Sequence, residues 1–278
     1  MIRERLAEDV YLFASRRYAH VTAGAVVTRE GVILIDTLFY PEETRAIKEF
    51  LEGRLSQRVR YVINTHYHAD HTLGTCLFPD AHVVSHALCR QLIDSAGRQG
   101  LEEMKAESPE FERVQIVLPN IVFDRGELEL CLGGKKLRLL ASPGHSPDLI
   151  NVLLVNDRIL FASDTVMPVP TIFDGDYDDL VRSLGRTLEL NLDCVVQGHG
   201  EVILRGEIAG LIDSHLNYLS YIKKAVGSVV ERGRPAAALE KISIESCGKS
   251  RVPLNGLVAD LHQANLRRLY AQLTNGDS

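Results

Sequence analysis

A short segment after residue 65 contains four side chains that commonly bind transition metals. His66, His68, Asp70 and His71 lie within six residues, directly after a mostly apolar run at residues 61–64 that is predicted to form a strand. Zinc takes imidazole nitrogens and carboxylate oxygens as ligands, and loops at strand ends commonly present functional groups. A lone His-x-His pair would be weak evidence, because most isolated histidines are surface or core residues. The addition of Asp70 and His71 favours a metal site.

Three more potential ligands each follow a predicted strand. His145 occurs in Ser-Pro-Gly-His-Ser, Asp164 follows the apolar run 159–162, and His199 occurs in Gln-Gly-His-Gly after the run 194–196. Taken singly, His145 and His199 could be turn residues beside glycines, and Asp164 could cap the N-terminus of a helix. Because all of them stand at strand ends, we expect these residues to meet the first four at one edge of the fold.

The number of candidate ligands exceeds the needs of one ion. A catalytic zinc usually takes three protein ligands and a water. Five histidines and two aspartates are more than that shell requires, so the sequence predicts two ions in one site. Two dications with two carboxylates and one hydroxide retain a net positive charge, which suits an oxyanion or an anionic transition state.

The segments that would position these side chains alternate between strand and helix patterns, which indicates an α/β fold. Strands are predicted at residues 10–13, 25–27, 32–35, 61–64, 82–84, 137–140, 149–155, 159–162 and 194–196. Helices are predicted from residue 41 to about 51 and from about 177 to 188. Residues 94–111 carry many charges and helix formers, so they are predicted to form a helical insertion whose role the composition does not reveal.

The pattern changes after His199. Apolar residues recur at helical spacing between residues 208 and 222 and again between residues 254 and 273, and a Gly-Arg-Pro break at residues 233–235 separates the two stretches. We therefore predict a catalytic domain at residues 1–204 and a helical C-terminal extension at residues 205–278 that packs on it. This extension and the 94–111 insertion are both candidate walls of a substrate pocket.

Composition and charge restrict the function. The chain has 278 residues and a formal net charge of −6, so it has no general attraction for a phosphate backbone, and nucleic acid is not an expected partner. The N-terminus mixes both charge signs and no apolar stretch of membrane length follows, which predicts a cytoplasmic location without membrane contact. The five cysteines contain no Cys-x-x-Cys pair and are predicted to be reduced, mostly buried thiols.

The seven residues resemble the ligand motif of the metallo-β-lactamase superfamily: His66-x-His68-x-Asp70-His71, then His145, Asp164 and His199 in that order. The resemblance covers roughly residues 10 to 200. It implies an α/β (α+β) fold, a four-layer αβ/βα sandwich with the metals at one edge, to which the predicted C-terminal helices are added. It also implies ligand roles: His66, His68 and His145 would bind the first metal, Asp70, His71 and His199 would bind the second, and Asp164 would bridge the two.

The resemblance also bears on residues outside the ligand motif. Asp36, at the end of the predicted strand 32–35, is similar to a buried aspartate of this family that supports the metal-binding loops without binding the metal. The alternative is an aspartate that starts a turn before Thr37. The other histidines match no ligand position and are predicted to be ordinary surface or helix residues: His20, His82, His86, His215 and His262.

The implied activity is hydrolysis by a metal-bridging hydroxide. Two zinc ions are the expected cofactors, with iron or manganese as the alternative metals, and zinc would lower the pKa of a bridging water to about 7. Asp70 would be the catalytic residue that moves a proton between the nucleophile and the leaving atom. The predicted reaction is cleavage of a small-molecule ester, lactone or thioester.

Two subfamilies fit poorly. Asp164 stands where class B1 β-lactamases carry a cysteine, and His68 stands where flavodiiron proteins carry a glutamate. An iron-dependent sulfur oxygenase on the same fold and a ligand-binding protein with little turnover remain alternatives. The expected partner is a small molecule, and a homodimer is possible.

Overall fold

Two mixed sheets form the centre of the structure, a computed structural model that describes residues 1–275. The strands of the first sheet follow one another in chain order: β1 (Ile2–Ala7), β2 (Val10–Ala14), β3 (Thr22–Thr28), β4 (Gly31–Ile35), β5 (Val59–Ile63), β6 (His82–His86) and β7 (Ile121–Phe123). Neighbouring strands are antiparallel from β1 to β4 and parallel from β4 to β7. The parallel part presents the C-terminal ends of β4 and β5 side by side.

The second sheet has six strands in the reverse of chain order. They are β8 (Glu127–Leu132), β9 (Lys135–Ala141), β10 (Ile150–Leu154), β11 (Ile159–Ser163), β12 (Cys194–Gln197) and β13 (Val202–Leu204). Only the β11–β12 pair is parallel among these strands, and α5, introduced below, provides the crossover that a parallel pair requires. The C-terminal ends of β11 and β12 therefore lie together.

Seven α-helices accompany the sheets within the described residues: α1 (Pro41–Lys48), α2 (Ala69–Thr72), α3 (Ala87–Leu92), α4 (Arg98–Glu107), α5 (Tyr177–Glu189), α6 (Arg205–Glu231) and α7 (Leu257–Asn275). Local sequence explains where several of them begin. Pro41 occupies the first turn of α1, where its missing N–H costs no hydrogen bond. Asp176 caps α5, because its carboxylate accepts hydrogen bonds from the backbone N–H groups of Asp178 and Asp179 at 2.8 and 3.0 Å.

The apolar residues form layers between these elements. Ile35 and Ile63 of the first sheet and Val152 and Phe161 of the second belong to one buried cluster between the sheets. A second cluster packs the helical segment 41–54 on the outer face of the first sheet. A third joins the outer face of the second sheet to α5, α6 and α7. These layers confirm the predicted αβ/βα sandwich with C-terminal helices. The boundary at residue 204 stays a prediction, and α6 begins at the next residue.

The strand and helix predictions hold for most elements, but four strands were missed, β1, β7, β8 and β13. β1 and β8 lie at sheet edges and carry charged residues on their exposed side, so they lack the apolar run used to find the others. The 94–111 insertion is helical as predicted, but its helical structure already begins at Ala87.

In the described residues all five cysteines are free thiols, of which Cys89, Cys194 and Cys247 are buried. No helix among residues 1–275 has both the length and the apolar character that a membrane crossing requires.

Candidate metal centre

The structure brings all seven candidate ligands together at the ends of strands. His66, His68, Asp70 and His71 follow β5, His145 follows β9, Asp164 follows β11, and His199 follows β12. Their ligand atoms form two groups, one of His66, His68, His145 and Asp164 and one of Asp70, His71 and His199, and within each group the atoms lie within 4.8 Å of one another. We call these the first and the second ligand group.

In the first group three imidazole nitrogens converge. His68 Nδ1 lies 2.9 Å from His66 Nε2 and 3.1 Å from His145 Nε2. Asp164 Oδ2 completes the group at 3.3 Å from His145 Nε2. Three nitrogens and one carboxylate oxygen are a ligand set that zinc accepts.

The second group is adjacent, and Asp164 lies between the two. Asp70 Oδ2 is 3.3 Å from His199 Nε2 and 3.7 Å from His71 Nε2. Asp164 Oδ2 is 3.4 Å from His199 Nε2, and its Oδ1 is 3.4 Å from His71 Nε2. The same carboxylate thus reaches both groups, which is the position that a bridging ligand requires. In the described residues no helix begins at Asp164, because residues 164–165 form a turn, so the alternative of a helix cap is wrong.

The hydrogen bonds of the outer ring nitrogens show which atoms are free to bind a cation. His145 Nδ1 donates to the carbonyl of Thr171 and His199 Nδ1 donates to the carbonyl of Ala19, both at 2.9 Å. A carbonyl only accepts, so in a neutral ring the Nε2 atom that faces the centre carries the lone pair. His71 Nε2 and Asp164 Oδ1 are buried and have no hydrogen-bond partner among residues 1–275. These unpartnered atoms and fixed tautomers fit a pair of divalent ions.

Asp36 contacts a candidate ligand directly. Its Oδ2 lies 2.9 Å from His71 Nδ1, and its carboxylate also accepts hydrogen bonds from the backbone N–H and the hydroxyl of Thr65 at 2.9 and 2.8 Å. Burial raises the pKa of Asp36, while His71 and Thr65 act in the opposite direction. These contacts favour the supporting role over the turn-starting alternative, because Asp36 holds both a ligand ring and the loop that carries it.

Burial and nearby carboxylates shift the pKa values of the histidines in opposite directions. Burial lowers the pKa of His66, and it lowers that of His145 to about 4. Burial acts the same way on His199, but the carboxylates of Asp164 and Asp70 outweigh it and raise the pKa of His199 to about 10. His66 and His145 therefore have neutral imidazoles ready to bind, whereas cation binding at His199 must release a proton.

Two glycines, each directly before a histidine ligand, allow close packing around the centre. A side chain at Gly198 would overlap Oδ1 of Asp164, so the residue before His199 must lack a Cβ. Gly144, before His145, has φ of +143° and lies directly against the backbone of Leu180. Close packing of α5 against the His145 loop thus depends on this glycine.

A cavity of about 240 Å³ opens above the two ligand groups. Its lining residues outside the ligand groups are all apolar or aromatic: Tyr18, Ala19, Phe39, Ala69, Met167, Phe173, Leu254, Leu257 and Leu261. The C-terminal extension supplies three of these, as the prediction of a pocket wall required. The 94–111 insertion supplies none, so that part of the prediction is wrong. It packs behind the wall instead, where the ring of Phe111 lies 5.2 Å from that of Phe39.

The comparison with known proteins agrees with this geometry. A family model described as the metallo-beta-lactamase superfamily matches residues 18–199. A "Beta-lactamase-like protein 2 homolog" of Caenorhabditis elegans is 28% identical over 189 residues, which cover 67% of this chain and 57% of that protein. An "Atrochrysone carboxyl ACP thioesterase" of Claviceps purpurea is 25% identical over 227 residues, which cover 81% of this chain and 66% of that protein. The chain thus matches less than two thirds of the length of either relative.

A solved structure extends the likeness to nearly the whole chain. A metallo-beta-lactamase family protein from Thermus thermophilus superposes with a TM-score of 0.70 at 18% identity. The superposition covers 98% of this chain and 95% of the other. At this identity the likeness concerns the fold, and it includes the C-terminal helices.

Proposed function

The chain belongs to the metallo-beta-lactamase superfamily and carries the His/Asp metal site of its metal-dependent hydrolases, and from this premise we propose that it uses two zinc ions to hydrolyse a small-molecule ester, lactone or thioester. The observation that carries the proposal is the position of Asp164 between two ligand groups beneath an apolar cavity. The thioesterase name of the Claviceps relative supports a carbonyl substrate. Five imidazoles with two carboxylates suit zinc, and iron and manganese accept similar ligands.

When bound, two zinc ions polarise a carbonyl oxygen and lower the pKa of water to about 7. The chain's own residues supply the rest. Asp70 lines the cavity with its Oδ2 3.3 Å from His199 Nε2, so it is placed to hold a proton between the attacking and the leaving atom. The apolar walls exclude water, and the lower local dielectric strengthens every charge interaction at the centre.

The residues that line the cavity also indicate which class of binding partner it suits. Within residues 1–275 its lining includes no lysine or arginine, so a small molecule fits it better than a phosphate backbone does. A homodimer and a cytoplasmic location stay predictions from the sequence.

The purified protein is expected to contain about two transition-metal ions per chain, because the two ligand groups are separate but share Asp164. Elemental analysis measures this content, and a chelator should abolish ester or thioester hydrolysis until zinc is restored. One iron per chain without zinc-supported hydrolysis would instead favour the sulfur oxygenase. Two bound zinc ions without hydrolysis across a broad ester, lactone and thioester screen would favour the ligand-binding protein.

A further inference from the structure

The cavity above the ligand groups has uncharged walls made of apolar and aromatic side chains. Beyond the candidate ligands, none of its lining residues in the described part of the chain carries a charge, and three of them, Leu254, Leu257 and Leu261, come from α7 and the turn before it. A carboxylate on the substrate is usually held by an arginine or lysine, often through paired hydrogen bonds. Among the described residues the walls offer no such partner, so an acidic substituent placed against the leucines would lose its hydration without gaining a hydrogen bond from them.

The size of the cavity limits what it encloses. Its volume of about 240 Å³ is below the roughly 300–1,000 Å³ of pockets that bury drug-sized ligands. It therefore encloses only part of an ester or thioester, and a large polar leaving group must remain outside. Phe173, which is 58% exposed, marks the open side, and its ring centroid lies 4.7 Å from that of His68.

The wall formed by the leucines is held in a fixed shape. Leu254 and Asn255 have φ of 54° and 56°, in the left-handed region that is unfavourable for residues other than glycine. Leu254 is nevertheless buried and lines the cavity. A strained backbone that places an apolar side chain at the site indicates a preformed wall.

From these observations, and resting on the proposed hydrolase function, we propose that the substrate places a short, uncharged, apolar acyl group against Leu254, Leu257 and Leu261. In the reaction water adds to the acyl carbon, the C–O or C–S bond breaks, and the leaving alcohol or thiol takes up the proton. The products are an apolar carboxylic acid and an alcohol or thiol. The leucines are then the residues that determine acyl specificity.

Butyryl and succinyl thioesters of N-acetylcysteamine test this proposal, because they differ mainly in one terminal carboxylate. The native protein is expected to show at least about tenfold higher kcat/KM for the butyryl compound. Leu257→Arg should reduce or reverse that ratio, because it places a cation at the cavity rim. Leu188→Arg is the matched control, since Leu188 is 40% exposed on α5 outside the cavity and Leu257 is 38% exposed.

Two outcomes overturn the acyl proposal: equal or better hydrolysis of the succinyl compound, or the same ratio in Leu257→Arg and Leu188→Arg. Failure of the hydrolase function is a different result, in which the two-zinc protein cleaves neither compound. Ketone analogues with CH₂ in place of sulfur then decide the acyl proposal by calorimetry. Tighter binding of the butyryl ketone supports it, and equal or weaker binding overturns it.

A different observation concerns the same C-terminal helix and the first ligand group. The buried side chain of Asn265 donates to the carbonyl of Pro170 at 2.8 Å and accepts from the N–H of Ile172 at 2.7 Å. Arg268 donates to the carbonyls of Asp174 and Gly175 at 2.9 and 3.0 Å. Helix α7 thus holds both ends of residues 170–175, which we call the 170–175 loop.

This loop contacts two ligands of the first group. The carbonyl of Thr171 accepts from His145 Nδ1, and the backbone N–H groups of residues 173–175 donate to the carbonyl of His145 at 3.0–3.2 Å. Asp174 Oδ1 lies 3.5 Å from His68 Nε2, while its Oδ2 accepts from the hydroxyl of Tyr67 at 2.7 Å. The geometry points to Asn265 and Arg268 as positioning residues for His145 and His68, a role that concerns the first ligand group and not the second.

Arg268→Ala tests this role through metal binding. One of the two zinc ions should bind roughly 10–100-fold more weakly, as when outer partners of metal ligands are removed, and the other should be unaffected. Competition with a chromogenic chelator measures both affinities, and the absorption spectrum of the cobalt-substituted protein reports the geometry of the altered position. Arg268→Lys, which keeps a positive charge and an N–H donor group, should recover part of the affinity.

The neighbouring, exposed Arg267 provides the matched control, Arg267→Ala. If Arg268→Ala matches this control in both affinities and in the cobalt spectrum, the positioning role is overturned. Equal weakening of both ions, with a lowered melting temperature and no recovery in Arg268→Lys, also overturns it, because a merely structural role predicts that result.

Discussion

Asp164→Asn is expected to lower turnover by two to three powers of ten while the protein remains folded. Asp164 is the only carboxylate whose two oxygens lie within 3.4 Å of nitrogens from both ligand groups in the described chain. Asparagine keeps nearly the same volume but removes the negative charge between two dications that would be only about 3.5–4 Å apart. The second ion should bind less tightly, and the lost rate corresponds to about 3–4 kcal/mol of transition-state stabilisation.

Turnover on the best ester or thioester, zinc content and thermal unfolding of Asp164→Asn together check this expectation. Asp193→Asn is a suitable control, because Asp193 pairs with Arg158 at 2.6 Å on a partly exposed surface and contacts no candidate ligand. Surface pairs of this kind contribute little to stability, so the control should keep its metal and its rate. A variant of Asp164 that retains two ions and near-native turnover would remove the bridged site from consideration.

The sequence was most informative where function depends on side-chain type. The ligand types, their short spacing in residues 66–71 and their positions after apolar runs were all visible, and the structure places these residues in two adjacent groups. Strands β11 and β12 are buried on both sides, so each gives a nearly continuous apolar run. Strand β5 is buried at Val62 and Ile63, directly before the ligand loop, although Arg60 is exposed. Edge strands such as β1 lack that signal, because half of their residues face water.

Residues that support the ligands were harder to predict. The carbonyls of Ala19 and Thr171 orient His199 and His145, but a backbone acceptor leaves no trace in the residue type. Asp174 is an acidic residue in a Phe-Asp-Gly-Asp segment, and nothing local relates it to His68, which precedes it by more than one hundred positions. Such pairings depend on the tertiary fold, since α7 must first place the 170–175 loop.

Two histidines illustrate the same limit. His215 and His262 lie in helices, as predicted, but both are buried rather than at the surface. His262 Nδ1 accepts from the hydroxyl of Tyr218 at 2.8 Å, and its Nε2 donates to the carbonyl of Ile242 at 2.9 Å. A buried polar residue is tolerated when its hydrogen bonds are satisfied, and apolar periodicity does not reveal that partner.

Alanine substitutions of the ligands are expected to separate the two metal positions. His145→Ala removes Nε2 from the first group, so it should empty mainly the first position, and His66→Ala and His68→Ala should do the same. His199→Ala removes a ligand of the second group and should empty mainly the second position, as His71→Ala should. Because both ions are needed for the proposed reaction, each substitution should lower turnover by at least about two powers of ten.

Stepwise zinc titration and the cobalt spectra of His145→Ala and His199→Ala distinguish the positions, because each variant should retain the spectrum of the ion that it does not touch. His82→Ala serves as the control, since His82 is an exposed histidine on β6 that belongs to neither group. Because Asp164 contacts both groups, loss of one ion is not expected to weaken the binding of the other. Its carboxylate lies within 3.4 Å of nitrogens in both groups. When one metal position has been emptied, the carboxylate is still available to the ion in the other position, so that ion should bind no more weakly than in the native protein. Equal loss of both ions from every ligand variant, with His82→Ala unchanged, would mean that the seven residues form one interdependent centre in place of two positions joined by Asp164.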